Sequence, residues 1–418
     1  MRLGLFDTGG LQQLDTLGAY RFWGRTNVGQ IVDPQVAWDD ATRRWYAAEV
    51  FNHATSNELL VAWSKTADAA LRNGWCQLSI PTGKLFDDFD KLGFSRTHIV
   101  IGTNVSDAGT RQFKFARIWA IGKPPANDTS CSPPPVNSFG SKSAPIRGVD
   151  GHILTTPVPV TPVRPTANGY VISADCPGDP SPDPREPSCT SRDRRSNQIT
   201  VWHVHGPRGS PVLTRDGAVR VRRYREPKPV PQPGSKRKLD PSDTRLTQAV
   251  SAPDPTRGGR LGIWTQHAVA GDRGRAVVRW YELNPNRLSL LRQGHIASRR
   301  NWVFNAAISP NWRGNGAVID YNVAGPHLLP EIRARSRGPR TGSGKMRSAI
   351  TLGRSVARTK SCVVSLRICE WGDYSAATPD PRHPTVVWGS NQLVRSREHL
   401  GPGSTNWGTR NFAIRTDR

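Results

Sequence analysis

The stretch IVDPQVAWDDATRRWYAAEVFNHATSNELLVAWS (residues 31–64) decides the fold. It holds three apolar runs of strand length, IVDPQVAW (31–38), RWYAAEV (44–50) and ELLVAWS (58–64), separated by turn chemistry such as Asp39-Asp40-Ala41-Thr42. Runs this short, rich in β-branched and aromatic residues and closed by Asp, Asn, Thr and Ser, read as strands rather than helices. CQLSI (76–80) completes a set of four.

The same rhythm continues outward. A second set reads FDKLGFS (89–95), HIVIGTNV (98–105) and FKFARIWAI (113–121), and a looser third reads HILTTPV (152–158), YVISAD (170–175), ITVWHVH (199–205) and AVRVRRY (218–224). The fourth is RLTQAVS (245–251), RLGIWTQHAV (260–269), RAVVRWYEL (275–283) and LSLLRQG (288–294). The fifth is NWVFNAAIS (301–309), GAVIDYNV (316–323), EIRARSR (331–337) and MRSAITL (346–352), and the last is GDYSAAT (372–378), TVVWGSNQ (385–392) and GTRNFAIR (408–415). Sets recurring about every 45–65 residues match the period of propeller blades, in which many small sheets replace one large core. The expectation is an all-β β-propeller over residues 1–418, with seven blades, or six as the alternative. Pro/Ser-rich stretches at 122–146, 176–196 and 225–243 are expected as insertions, and residues 1–24 as a partial N-terminal blade. Two β-sandwiches divided near 225–243 are the competing architecture.

Composition agrees. The 418 residues exceed the roughly 250–300 at which one core stops growing, and no apolar run approaches the ~18 residues of a membrane span. Transmembrane helices and coiled coils are thereby excluded. The 39 Gly and 35 Pro are those of a turn-rich chain, and the net charge of +25 comes from 47 Arg spread along the sequence. Diffuse charge attracts polyanions but provides no base readout, so specific nucleic-acid recognition is not expected.

Several segments carry a family resemblance: DPQVAWDDATRRWYAAEV (33–50), DDFDKLGF (87–94), AVVRWYEL (276–283), NWVFNAAISPNWRGNGAVIDYNV (301–323), and above all WGDYSAATPDP (371–381) followed by WGTRNFAI (407–414). With these the chain resembles secreted bacterial seven-bladed β-propellers, distantly sialidase-like and mostly of unknown function. The resemblance implies the fold and a secreted or cell-surface location, and it carries no reaction. The chain departs from that family in having DFDK (88–91) where an Asp-Tyr-Pro-Lys run is usual.

Propellers bind ligands at the starts of their innermost strands, where this sequence places Asp33; Asp88, Asp90 and Lys91; Asp243 and Arg245; and Glu370, Asp373 and Tyr374. At least three of Asp33, Asp88, Asp243 and Asp373 are expected near one end of a central channel. Converging, these groups would hold Ca²⁺ through oxygen ligands or, with Lys91 and Arg245, an anionic sugar. Remaining apart, each Asp would cap its own turn. The expected function is an extracytoplasmic, monomeric binding scaffold for a carbohydrate or protein, without an obligatory cofactor. A sialidase-like glycoside hydrolase is the alternative, with Tyr374, Asp373, Glu370, Arg245 and Arg333 as its assembly. His203 and His205, two apart on one strand face, lack a third metal ligand in local spacing.

Six cysteines without a CxxC spacing read as disulfides and an oxidising compartment. Cys176 with Cys189 and Cys362 with Cys369 each bracket a turn-rich segment, which leaves Cys76 and Cys131, although fifteen connectivities are formally open. MRLGLFDTGGLQQLD lacks the apolar region of a secretory leader. Strands at 2–6 and 11–17 around Gly9-Gly10 are expected as half of a blade, so that upstream residues are missing, or as partners of 408–415 that close the last blade.

Overall fold

The opening strand of the deciding stretch runs Gln30–Asp39, and Arg44–Asn52, Asn57–Ser64 and Trp75–Gly83 follow it as an antiparallel meander. In this computed structural model the described residues are 2–417 apart from 8, 10, 11, 27, 28, 54, 55, 175–195, 361, 364–367 and 397–405. They divide into two compact units. The first comprises residues up to 174 and Thr200–Gly217, the second 196–199 and 218–417.

In the first unit the second sheet orders Leu85–Phe94, His98–Asp107, Phe113–Gly122 and Val136–Phe139. Val136–Phe139, inside a stretch expected as an insertion, is its outer strand. The two sheets pack face to face: Tyr46, Val50, Leu59 and Trp63 of the first meet Phe86, Leu92, Phe94 and Ile101 of the second. The other face of the first sheet is covered by the short helix Ala19–Phe22 and Trp23 against Ala47, Leu60 and Ala62. A strand buried on both faces cannot alternate polar and apolar residues, so Glu58–Ser64 reads as a near-continuous apolar run. Ahead of the helix, Arg2–Phe6 pairs with Gln13–Gly18 as a two-stranded sheet of its own.

A third sheet, Val158–Pro159, Gly169–Ala174, Ser196–His205 and Val212–Tyr224, contains the division between the units. In the second unit, Ala249–Asp254, Arg260–Ala270, Ala276–Asn284 and Ser289–Ile296 form one meander, and Trp302–Pro310, Ala317–Gly325, Leu328–Arg337 and Ile350–Arg354 form the next. They share a core of Trp264, Val278 and Trp280 against Ile308, Ile319 and Tyr321. A three-stranded sheet, Ala376–Pro379, Val386–Val394 and Trp407–Arg415, packs in turn on Ala307, Val318 and Ile332. Small antiparallel sheets stacked on both faces are the blade construction of a β-propeller, and the fold is all-β as expected.

Within 225–243, Val230–Gln232 and Ser235–Leu239 form a hairpin, and its second strand runs parallel to Ile368–Cys369. Cys362 and Cys369 face each other across an antiparallel pair and are disulfide-bonded, as expected. Cys76 is bonded to Cys131, joining the first sheet to the segment leading into Val136–Phe139. The Cys176–Cys189 pair lies outside the described residues. No helix among the described residues is long and apolar enough to cross a membrane.

Candidate functional site

The first strand of a sheet is broken by a bulge at the same place in three sheets: between Val32 and Gln35, between Asp88 and Lys91, and between Phe304 and Ala307. Each bulge contains a left-handed residue, Asp33 (φ 60°), Phe89 (φ 57°) and Asn305 (φ 46°). Asp and Asn tolerate that conformation through their short polar side chains, and Pro34 has no amide to give to a ladder. Phe89 has no such excuse, and its strain is held by the neighbouring sheet. The Phe89 amide donates to Asp33 Oδ2 at 2.9 Å.

That strap brings three carboxyl groups together in the first unit. Asp33 is half-buried, Glu49 is 3% exposed and Asp90 is fully buried. Burial pushes the Asp90 carboxyl well above the carboxylate range, the charges of Asp33 and Glu49 push it further, and Lys91 opposes them. Neither oxygen of Asp90 has a hydrogen-bond partner among the described residues. Lys91 is buried, with its ammonium 3.4 Å from the Phe89 ring centroid and donating to the Asp90 carbonyl at 3.2 Å. Burial also raises Glu49, to about 7, although Trp23 Nε1 donates to its Oε2 at 2.8 Å and favours the ionised form. The cluster therefore pairs two carboxyl groups whose acid forms are favoured by burial, Asp90 and Glu49, with the more open Asp33.

The third bulge carries amides instead. Asn305 Nδ2 donates to Asn322 Oδ1 (2.9 Å) and Asn391 Oδ1 (3.2 Å), and Asn391 Nδ2 donates to Asp320 Oδ1 at 2.8 Å. Asp320 is buried and pushed well above its usual range by that burial, with Oδ2 unpartnered among the described residues. Trp371 of the WGDYS segment is buried and donates to Asn322 Oδ1 at 2.8 Å, so it belongs to this network. Gly372, at φ 84°, lets the chain turn there, and a Cβ would meet Gln392 at 2.3 Å.

Of the residues singled out in the sequence, the structure joins Asp33, Asp90 and Lys91, with Asp88 half-buried in the same bulge. Asp87, one residue earlier, is engaged by Thr103 (2.8 Å), Arg117 (2.9 Å) and Trp119 (3.1 Å). In the second unit Asp243 grips Arg245 (2.6 Å, Nη2 to Oδ2), and Glu331 grips Arg333 (2.6 Å). Glu370 and Asp373 are exposed and Tyr374 is half-buried. His203 bonds Asp216 at 2.8 Å and His205 bonds Thr214 at 3.0 Å. Glu49, Asp320, Asn305, Asn322 and Asn391 were not singled out. Their signal was available: an acid or amide interrupting an apolar strand, as in YAAEVF and VIDYNV.

No protein-family model matches the sequence, and no curated protein matches it. Among solved structures the chain is similar to the Synechocystis apocarotenoid oxygenase, at 8% identity and a TM-score of 0.44, over 83% of this chain and 67% of that one. It is similar to Trypanosoma rangeli sialidase in complex with sialic acid, at 7% identity and a TM-score of 0.40, over 99% of this chain and 57% of the sialidase. It is also similar to the Bacteroides thetaiotaomicron endo-arabinase, at 10% identity and a TM-score of 0.33, over 80% and 98% of the two chains. These distant likenesses carry nothing about the chemistry of this chain.

Proposed function

We propose that the chain is an extracytoplasmic carbohydrate-binding protein whose ligand engages the Asp33–Glu49–Asp90 cluster. The observation that carries this reading is the Asp90 carboxyl, buried with neither oxygen hydrogen-bonded among the described residues. An unmade bond on a buried polar group costs about 1–3 kcal/mol, so such a group is retained where a hydroxyl-bearing ligand completes it. A neutral carboxylic acid both donates and accepts, matching a sugar hydroxyl. The two disulfides among the described residues fit an oxidising, extracytoplasmic compartment.

Glycoside hydrolysis is the second reading, favoured by Glu49. Its acid form persists to about pH 7 beside a second carboxyl group, which is the arrangement a general acid and its partner need. Calorimetric titration with a panel of neutral and acidic oligosaccharides tests the binding reading. Binding by the wild type, lost at least tenfold in Asp90→Asn and kept in Asp107→Asn, is the expected result. No binding, or binding indifferent to Asp90→Asn, overturns it. Release of aryl alcohol from chromogenic glycosides, abolished by Glu49→Gln, would move the assignment to the hydrolase.

A further inference from the structure

Part of the +25 charge is gathered around a cavity in the second unit. The cavity, of about 220 Å³, is lined by Arg313, Arg340, Arg347, Thr385, Thr416 and Asp417. Two segments supply the arginines: the turn after Trp302–Pro310 supplies Arg313, and the loop joining Leu328–Arg337 to Ile350–Arg354 supplies Arg340 and Arg347. The cavity's carboxylate is already engaged. Arg415 grips Asp417 through Nε (3.0 Å) and Nη2 (2.7 Å), and Thr385 Oγ1 donates to it at 3.2 Å. Those bonds hold Asp417 below the usual carboxylate range, so it stays ionised and committed to Arg415.

The walls are built. Arg347 Nη1 donates to the Thr416 carbonyl at 2.9 Å, and the Thr416 amide and hydroxyl both bond the Thr385 carbonyl at 2.9 Å. Asn311 Nδ2 donates to Thr416 Oγ1 at 2.7 Å, fixing the buried Thr416 from below. A Cβ on Gly338 would lie 2.5 Å from the Thr416 carbonyl oxygen, so the glycine lets the backbone of Thr416 approach there. Arg313 and Arg340 are exposed, and among the described residues neither has an ion-pair partner.

We infer that this cavity is an anion site for a tetrahedral oxyanion, a sulfate or phosphate group either free or carried on a saccharide. Three guanidinium groups gathered from two segments exceed what a planar carboxylate accepts from one bidentate partner, and they suit an ion that presents oxygens in every direction. A single concave pocket, rather than a track of evenly spaced cations, favours one charged group over a nucleic-acid backbone. The site is independent of the acid cluster in the first unit.

The test is calorimetric titration with inorganic sulfate, inorganic phosphate, a sulfated oligosaccharide and a sugar phosphate. The proteins are the wild type, R313A/R340A, and the charge-matched R220A/R223A, whose residues are exposed and lie outside the cavity. Arg313 and Arg340 are chosen because neither holds the fold together. The expected result is a loss of at least tenfold in R313A/R340A and less than twofold in R220A/R223A. Tighter binding of the sulfated or phosphorylated sugar than of the ion assigns the saccharide source, and equal binding assigns the free oxyanion. Equal losses in both variants, displacement of sulfate by acetate at matched concentration, or duplex DNA as the tightest probe would overturn the site.

Discussion

Two kinds of buried acid occupy two kinds of place in the sheets, the hairpin end and the bulge end, and they are treated in opposite ways. At the hairpins between first and second strands, Asp39, Asp254 and Asp380 are buried and fully engaged. Asp39 accepts from Thr42 Oγ1 (2.6 Å) and pairs with Lys123 (2.8 Å). Asp254 accepts from the Thr256 amide (2.8 Å), the Thr256 hydroxyl (2.7 Å) and Arg292 (2.6 Å). Asp380 accepts from two backbone amides, His383 Nδ1 and Trp388 Nε1. At the bulges, Asp90 and Asp320 are equally buried but leave oxygens unpartnered among the described residues. The difference is one of protonation. Hydrogen bonds hold Asp254 and Asp380 low against the penalty of burial, whereas burial wins at Glu49, Asp90 and Asp320. The hairpin acids contribute to stability, and the bulge acids reduce it.

The largest effect expected from this contrast is at Asp254. Asp254→Ala removes the cap of the turn Pro255–Arg257 and a partner of Arg292, and should cost about 3 kcal/mol of stability in urea titration. A cost below about 1 kcal/mol would dissolve the distinction between the two ends.

Next comes Glu49. Its folded pKa is about 7 against an ordinary 4.5, so the folded state binds more protons between those values and the wild type loses stability as pH rises through that window. Glu49→Gln should match the wild type at pH 4 and exceed it at pH 8 by on the order of 2 kcal/mol. Parallel pH profiles would show that Glu49 is not held protonated.

Asp380 should behave with the opposite sign. Its carboxyl is held below the ordinary value, so its contribution is present above that value and is lost as pH falls through the folded one. Asp380→Asn should be less stable than the wild type at pH 7, and the gap should close on acidification. A gap that widens with acid would reverse the assignment.

The smallest change is expected at Asp107, whose side chain caps the amides of Gly109 (3.1 Å) and Thr110 (2.9 Å). Asn keeps an oxygen in place, so Asp107→Asn should leave the melting midpoint unmoved within error in differential scanning calorimetry.

The residues themselves carried the strand runs, the short turns and the all-β class, because strand length and turn chemistry are local properties of the backbone. Cys362 and Cys369, placed to bracket a short turn, were also legible from spacing alone. Of the hairpin acids, Asp39 was read as a turn residue, whereas Asp254 and Asp380, which also sit where an apolar run meets a turn, were not singled out. The acid cluster was half visible. Asp33, Asp90 and Lys91 were expected at strand starts and lie instead at bulges within Gln30–Asp39 and Leu85–Phe94, and Glu49 became a partner only when the second strand was set beside the first and the neighbouring bulge was strapped to Asp33. The arginine cavity was invisible, because nothing local distinguishes Arg313, Arg340 and Arg347 among 47 arginines and their partners Thr385 and Thr416 come from distant segments. Local pattern records which face or turn a residue occupies. Which carboxyl loses its water, and which guanidinium groups meet, depends on contacts between distant segments, and only the tertiary structure decides them.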